Sequence, residues 1–287
     1  MITDYRAGRT PNPDVLCNRL IKFDWLWRFA RVHGAEMLAT GHYAKIVRRD
    51  SDFPAPGRRG EVATKSLSRL LVSTDRGKDQ TYFLWTLTQA DLAHTLFPVG
   101  GYHKSKVRTL AKRFGLPNAA KPDSQGLCFV GPLDFKEFLR AYLPNKLGSV
   151  HDEGGKVIGE HDGAHFYTIG ERHGFRVTAR TSASSSLYVI AKDMAKNILV
   201  VSPQPLKSVG AKGEIILDRL NWIGGAPPTG KIIKARIRYR APLMPCHLSL
   251  SPVPSNGDRW RLVFSKPQLV VSGQSCVFYD AGAVTCL

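Results

Sequence analysis

Residues 8–18 read GRTPNPDVLCN and contain two prolines, a carboxylate and a cysteine. Prolines on both sides of Asn12 stiffen the backbone, Asn12 is a good N-cap, and Pro13 suits the first position of a helix. A helix that begins there places Asp14 and Cys17 three residues apart on one face. The positive end of a helix favours thiolates, and a nearby carboxylate can move a proton. The stretch therefore indicates a reactive site, with a rigid turn and an inert, buried cysteine as the alternative.

The residues after this stretch predict an α/β layer. Apolar residues at steps of three and four predict a helix from Pro13 to Val32 that Gly34 ends. Its predicted buried stripe consists of Leu16, Leu20, Phe23, Trp27 and Ala30. Residues 35–40 predict a short strand, which a turn with Gly41 and His42 follows. The succession of helix, short strand and glycine-containing turn predicts a site at the carboxyl end of the strand.

Two further stretches of this first part carry polar or reactive side chains. Lys78, Asp79 and Gln80 combine a cation, a carboxylate and an amide, which suits either a nucleotide grip or a solvated cluster. Cys128 follows a turn that contains glycine and leads into a short apolar strand. Its sulfur either faces a cleft at the strand edge or is structural. Thr88 and Ser105 are predicted to cap two helices between these stretches.

The second half of the chain is predicted to consist mainly of short strands. Gly154 and Gly155 predict a hairpin turn, and the pattern is all β from about residue 210. In the predicted strand 232–240, alternation places Lys234, Arg236, Arg238 and Arg240 on one face. Such a row suits phosphate binding, with a solvated sheet face as the alternative.

Length and composition limit the class of protein. A chain of 287 residues predicts two or three domains. The formal net charge of +18 predicts a polyanionic partner, most simply nucleic acid. No apolar run is long enough for a membrane span, and the first residues lack a signal-peptide core. Five scattered cysteines without a CxxC pair favour a reducing, cytoplasmic compartment, and no metal site is predicted.

Taken together, seven stretches of the chain resemble the tRNA-specific 2-thiouridylases, which place sulfur on the wobble uridine of certain tRNAs. They follow the order of that family and extend nearly from end to end. The stretches are GRTPNPDVLCN (8–18), ATGHYA (39–44), KDQTYFL (78–84), DSQGLCFVG (123–131), YTIGER (167–172), IRYR (237–240) and Gly273-Gln274.

The resemblance implies a fold in three parts. Residues 1–134 are expected to form a truncated adenine-nucleotide α-hydrolase-like α/β domain with a Rossmann-like parallel sheet. Residues 135–209 are expected to form a small central tRNA-binding domain, and residues 210–287 a C-terminal β-barrel.

The resemblance also implies the reaction and its residues. In the family, ATP, expected with Mg²⁺, adenylates the uridine oxygen, and a cysteine that matches Cys128 carries a persulfide received from a sulfur-donor protein. Cys17 matches the nucleophile that frees this sulfur, leaving a disulfide with Cys128, and Asp14 matches the acid or base. Gly41 matches an ATP contact. The implied tRNA contacts are Asn12, Pro13, Asp14, His42, Lys78, Asp79, Gln80, Arg238, Tyr239 and Gln274.

Two departures from the family are visible. The Ser-Gly-Gly-Val-Asp-Ser pyrophosphate loop does not occur in the sequence, and Glu171 stands where the family usually has Gln. Because of the first departure, three interpretations of the chain remain open. It is the catalytic part of a thiouridylase, half of a split enzyme with a separate pyrophosphate-loop segment, or a non-catalytic tRNA-binding fragment. A thiol-redox protein is a further alternative, against which the basic strand argues. We expect the 287 residues alone not to thiolate tRNA, and the strands at 37–38 and 70–72 to lack apolar cover and expose an unpaired edge.

Overall fold

The fold is that of a computed structural model, which describes residues 1–48, 67–121, 135–178, 186–204, 212–225, 232–250, 260–282 and 284–287. The chain divides into two compact units. The larger unit comprises residues 14–124, 214–265 and 276–287, and the smaller unit comprises residues 1–13, 125–213 and 266–275. No helix among these described residues is long and apolar enough to cross a membrane.

A helical segment from Pro13 to Val32 confirms the predicted helix. It consists of α2 (Pro13–Cys17), a π-helical stretch (Asn18–Trp25) and α3 (Leu26–Val32). The π-helical stretch changes the angular spacing, so the predicted buried stripe is partly wrong. Leu20 is 54% exposed, whereas the buried residues of this stretch are Asn18, Lys22 and Phe23.

Gly34 ends this segment as predicted. Its φ is +89°, a value that glycine adopts without strain. Ala35 N donates to Ala30 O at 3.0 Å, and Gly34 N donates to Arg31 O at 3.0 Å. These two bonds form a Schellman motif, which satisfies carbonyl groups at the helix end.

A parallel strand pair follows in the larger unit. It consists of β1 (Leu38–Ala39) and β4 (Thr95–Leu96). The predicted cap at Thr88 is confirmed, because Thr88 and Asp91 form a capping box at the start of α4 (Gln89–Ala93). The next helix, α5 (Lys104–Arg113), begins two residues before its predicted start, with His103 rather than Ser105 as its N-cap.

An eight-stranded sheet contains strands from both ends of the sequence. Its order is β10-β13-β12-β11-β14-β15-β3-β2. The strands are β2 (Ala44–Val47), β3 (Arg69–Val72), β10 (Lys212–Leu217), β11 (Ile233–Arg236), β12 (Met244–Leu250), β13 (Trp260–Gln268), β14 (Val277–Tyr279) and β15 (Thr285–Cys286).

The expectation of an uncovered strand at residues 70–72 is wrong. Strand β3 pairs antiparallel with β2 on one side and with β15 on the other. Leu70 is 0% and Val72 is 3% exposed, and both belong to the main core of this unit. The sequence gives no local sign of the β15 pairing, because more than 200 residues separate Leu71 from its partner Thr285.

The predicted strand 232–240 with four cations on one face is also wrong in part. Strand β11 ends at Arg236, and Arg240 has a φ of +63°, which turns the backbone away from the extended form. The Arg236 side chain is 16% exposed because it pairs with the buried Asp79 carboxylate. Arg238 and Arg240 are exposed in the segment after the strand.

The smaller unit contains a five-stranded sheet with order β7-β6-β5-β9-β8. Its strands are β5 (Gly148–His151), β6 (Val157–His161), β7 (Arg176–Val177), β8 (Tyr188–Asp193) and β9 (Ile198–Ser202), and its helices are α1 (Ile2–Arg6) and α6 (Phe135–Arg140). Gly155 has a φ of +84° between β5 and β6, which confirms the predicted hairpin turn. Tyr5 of α1 packs in the same core as Val150 and Leu199.

Candidate functional site

Cys17 is a half-exposed cysteine at the end of α2. The next residue, Asn18, is 1% exposed, and its Nδ2 donates to Phe83 O at 2.9 Å. This bond fixes the helix beside the 3₁₀ turn Thr81–Phe83, which directly follows Gln80. Cys128 lies outside the described residues, so its disulfide with Cys17 remains a prediction.

Two other cysteines of the larger unit are chemically quiet. Cys246 and Cys286 are buried. Burial raises the pKa of Cys246 to about 12 and also raises the pKa of Cys286. Both therefore remain thiols at neutral pH, which favours Cys17 as the reactive group among these three.

His42 is a buried, neutral imidazole with a defined tautomer. Lys22 Nζ lies 3.4 Å from His42 Nε2 and Thr40 Oγ1 lies 2.8 Å from Nδ1. Because an ammonium group only donates, Nε2 accepts from Lys22 and the Nδ1 proton is donated to Thr40. The pKa of His42 is lowered to about 3, mainly by burial and to a smaller extent by the positive charge of Lys22. Phe23 and Phe97 flank its ring.

Sequence reasoning did not identify Lys22 as part of this arrangement. Lys22 is 8% exposed, although the sequence pattern predicts that only apolar residues of this helix are buried. The available signal was its spacing of four residues from Asn18, the other buried polar residue of the π-helical stretch.

Gly41 lies in the turn after β1, at the carboxyl end of the parallel strand pair. A Cβ atom built on Gly41 would have no atom within 4 Å among its surroundings. A ligand can therefore approach the backbone closely here, as glycine at such a turn allows.

The stretch Lys78-Asp79-Gln80 is held in place mainly by the buried side chain of Asp79. Asp79 is 4% exposed, and it accepts hydrogen bonds from Ser73 N at 3.0 Å and from Thr81 Oγ1 at 2.7 Å. Arg236 Nη1 lies 3.6 Å from the same carboxylate. Burial raises the pKa of Asp79, against the effect of these donors. Asp79 therefore anchors the stretch from inside.

Gln80 ties the same stretch to the turn that carries His42. Its Oε1 accepts from Tyr43 N at 2.9 Å, and its own N donates to Tyr43 O at 2.8 Å. Lys78, the remaining predicted contact residue of this stretch, is half-buried and therefore more exposed than Asp79.

An aromatic cluster joins this region to the segment after β11. The Tyr239 ring centroid lies 4.5 Å from that of Phe83 and 6.2 Å from that of Tyr82. The Arg240 guanidinium lies 5.2 Å from the Tyr239 ring centroid. The larger unit thus brings Cys17, Gln80, Tyr239 and the exposed Arg238 into one connected region.

In the smaller unit, Thr10 is held from both sides. Thr10 N donates to Ser272 O at 2.9 Å, and Gln274 Nε2 donates to Thr10 O at 2.7 Å. Gly273 has a φ of +94°, and a Cβ there would lie 2.9 Å from Thr10 N. Only glycine permits this approach, so the segment that leads to Asn12 and Pro13 is clamped by residues 272–274.

The hydroxyl of Thr10 continues the same network. It lies 3.3 Å from the Thr168 hydroxyl, and Thr168 N donates to Glu171 Oε2 at 2.8 Å. Burial raises the pKa of Glu171. Nearby, Lys192 Nζ donates to Tyr167 O at 2.7 Å, and burial lowers the pKa of Lys192 to about 8. A glutamine at position 171 would accept the same bond from Thr168.

Three family models match the chain in sequence. They are the tRNA methyl transferase HUP domain over residues 1–132, the tRNA methyl transferase PRC-barrel domain over residues 136–203, and the aminomethyltransferase beta-barrel domain over residues 212–287. These matches confirm the predicted fold class of an α/β domain, a small central domain and a C-terminal β-barrel type. Among the described strands, the eight-stranded order begins at β10 and ends at β2 without a pairing that closes it.

Curated relatives match nearly the whole chain. The tRNA-specific 2-thiouridylase MnmA of Methylococcus capsulatus is 41% identical over 97% of this chain and 71% of its own length. The enzymes of the same name from Xanthomonas euvesicatoria and Burkholderia thailandensis are each 42% identical over 97% of this chain and 70% of their own length.

Proposed function

Because the chain belongs to the tRNA-specific 2-thiouridylase family, we propose that it transfers sulfur to C2 of the wobble uridine of tRNA. The observation that carries this proposal is the 41% identity to a 2-thiouridylase over 97% of this chain, together with the three family models that match it in order. The clamped loop before Asn12 and the half-exposed thiol of Cys17 support it.

ATP is the proposed co-substrate, and the close backbone approach that Gly41 allows beside the β1 turn supports this proposal. Bound there with Mg²⁺, ATP would supply an adenylyl group to the uridine O2 with release of pyrophosphate, which would make this oxygen a leaving group.

Asn12 and Pro13 are proposed to hold the target base, and Asp14 to move the proton. Clamping Thr10 from Ser272, Gln274 and Thr168 restricts the backbone directly before them. A preordered backbone lowers the entropy lost when the base binds. In this assignment Gln274 acts through Thr10, in addition to its predicted contact with tRNA.

Cys128 and Cys17 are proposed to deliver the sulfur. A sulfur-donor protein leaves a persulfide on Cys128, and the Cys17 thiolate attacks its inner sulfur. The Cys17–Cys128 disulfide forms, the persulfide bond breaks, and the outer sulfur leaves as hydrosulfide. Hydrosulfide attacks C2, and the activated oxygen leaves with AMP. Two electrons from a thiol reductant then restore both cysteines.

The tRNA is proposed to be held by Lys78, Gln80, Arg238 and Tyr239, and His42 is proposed to support the turn beside them. Lys78 and Arg238 suit phosphate contacts because both are cationic, with Arg238 exposed and Lys78 half-buried. His42 is neutral, so its part in the site is to hold the turn and not to supply charge. Tyr239 presents a ring for stacking within its aromatic cluster.

The test measures 2-thiouridine in a tRNA transcript with uridine at the wobble position. The reaction contains ATP, Mg²⁺, cysteine and a cysteine desulfurase, with and without a family pyrophosphate-loop segment added in trans. Nucleoside mass spectrometry is expected to detect 2-thiouridine when the segment is added and not with the 287 residues alone. Cys17→Ser or Cys128→Ser is expected to abolish the product.

Cys276→Ser is the matched control, since it removes a half-exposed thiol that no proposed step uses. It is expected to keep the activity of the unchanged protein. Absence of 2-thiouridine under both conditions would overturn the proposed function, and full activity of Cys17→Ser would overturn the role of that residue.

A further inference from the structure

The outer face of α5 presents only cations and hydroxyl groups. Five exposed residues make up this face: Ser105, Lys106, Thr109, Lys112 and Arg113. At 3.6 residues per turn they fall within about one third of the helix circumference. The opposite side carries the half-buried Val107, Leu110 and Ala111, so the direction of the outer face is set by packing.

The charges of α5 are not balanced within the helix. Its sequence, KSKVRTLAKR, contains five Lys or Arg residues and no Asp or Glu. Lys104 and Lys106 lie in the first turn, where the helix end is already positive and cations are unfavourable. This pattern is unfavourable for the helix by itself and becomes favourable beside a polyanion.

Helix α5 is attached to the turn that leads to Lys78. Lys104 N donates to Asp75 Oδ2 at 3.0 Å, and Lys78 N donates to Asp75 O at 3.0 Å. Thr74 N donates to Gly100 O at 2.9 Å, which joins the same turn to the segment before α5. The outer face is therefore held in a fixed relation to Lys78, a predicted tRNA contact.

We propose that the outer face of α5 binds the phosphate backbone of tRNA as an additional contact surface, an inference that rests on the proposed function. Lysine, arginine, serine and threonine side chains are the usual donors to phosphate oxygens. Because phosphate contacts carry no sequence information, this surface is expected to contribute affinity and position without sequence selectivity.

The test is the salt dependence of binding to the same tRNA transcript used for the thiolation assay. The variant carries Lys106→Gln, Lys112→Gln and Arg113→Gln together. If all three cations contact phosphates, the slope of log K against log salt is expected to fall in magnitude by about 2, since each contact contributes about 0.7 to 0.9. Circular dichroism and a melting curve check that α5 remains folded.

Two control variants test whether the slope depends on the position of the removed charges or only on how many charges the protein carries. Lys106→Arg, Lys112→Arg and Arg113→Lys keep all three charges and are expected to retain the slope of the unchanged protein. Lys212→Gln, Arg219→Gln and Lys266→Gln remove three exposed charges elsewhere and are expected to reduce the slope less.

The outcomes distinguish this inference from the proposed function. If the unchanged protein does not bind the tRNA, the proposed function fails. If it binds, but the outer-face variant changes the slope no more than the distant triple variant does, the outer face of α5 is not a contact surface.

Discussion

Replacing Asp79 by alanine is expected to destabilise the larger unit strongly. The Asp79 and Arg236 side chains are 3% and 16% exposed, and the substitution leaves the arginine charge without this carboxylate. Removing one partner of such a buried pair typically costs about 3 to 5 kcal/mol. Ser73 N and Thr81 Oγ1 also lose their acceptor, which places the expected loss near the upper end.

This loss is measurable by thermal and urea unfolding. In a unit of this size, 1 kcal/mol shifts the melting temperature by about 2 to 4 °C, so a loss of about 5 kcal/mol shifts it by roughly 10 to 20 °C. The double variant Asp79→Ala, Arg236→Met is expected to recover part of the loss, because it removes the uncompensated charge. Arg219→Ala is the matched control, since its pair with Asp218 is 87% and 77% exposed.

The prediction also separates two roles for Asp79. If Asp79→Ala lowers tRNA affinity but changes the free energy of unfolding by less than about 1 kcal/mol, the buried-anchor explanation is refuted. Asp79 would then be a direct tRNA contact, as its motif implies.

Three further outcomes are expected. Because the pKa of His42 is about 3 in the fold, against about 6.5 in an unfolded chain, only the unfolded chain takes up this proton below pH 6.5. Urea unfolding should show stability falling from pH 6.5 toward pH 3, and His42→Asn should flatten this slope by up to about 1.4 kcal/mol per pH unit; an equal slope in both proteins would contradict it. Iodoacetamide with peptide mapping should label Cys17 well before Cys246 or Cys286, and earlier labelling of either buried thiol would contradict the assignment. Thr168→Val should speed hydrogen exchange of the Thr10 amide roughly fivefold, the effect of one hydrogen bond of about 1 kcal/mol, whereas Thr168→Ser should not; equal exchange in both variants would remove Thr168 from the clamp.

Sequence patterns correctly predicted the structural elements that depend on residues close together in the sequence. The helix from Pro13 to Val32, its end at Gly34, the Thr88 cap and the Gly155 hairpin follow from neighbouring residues, and each is present. The stripe failed at Leu20 because a period of 3.6 does not describe a π-helical stretch.

Contacts between distant parts of the sequence were not predictable in this way. Alternation placed Arg236 with exposed cations, but the Asp79 carboxylate, more than 150 positions earlier, pairs with it in the interior. The clamp on Thr10 likewise depends on residues 272–274 and on Thr168. The motifs pointed to Gln274 but gave no sign that its amide holds the chain segment before Asn12.

The pairing of β3 with β15 has a consequence for synthesis of the protein in the cell. Thr285 is made 214 positions after its partner Leu71. At about 5 to 20 residues per second, the ribosome needs on the order of ten to forty seconds to cover that interval. During this time the apolar strand that contains Leu70 and Val72 has one edge without its partner, and such edges recruit other chains. The nascent protein therefore has a period of vulnerability in which chaperones that bind extended apolar segments would act on residues 69–72.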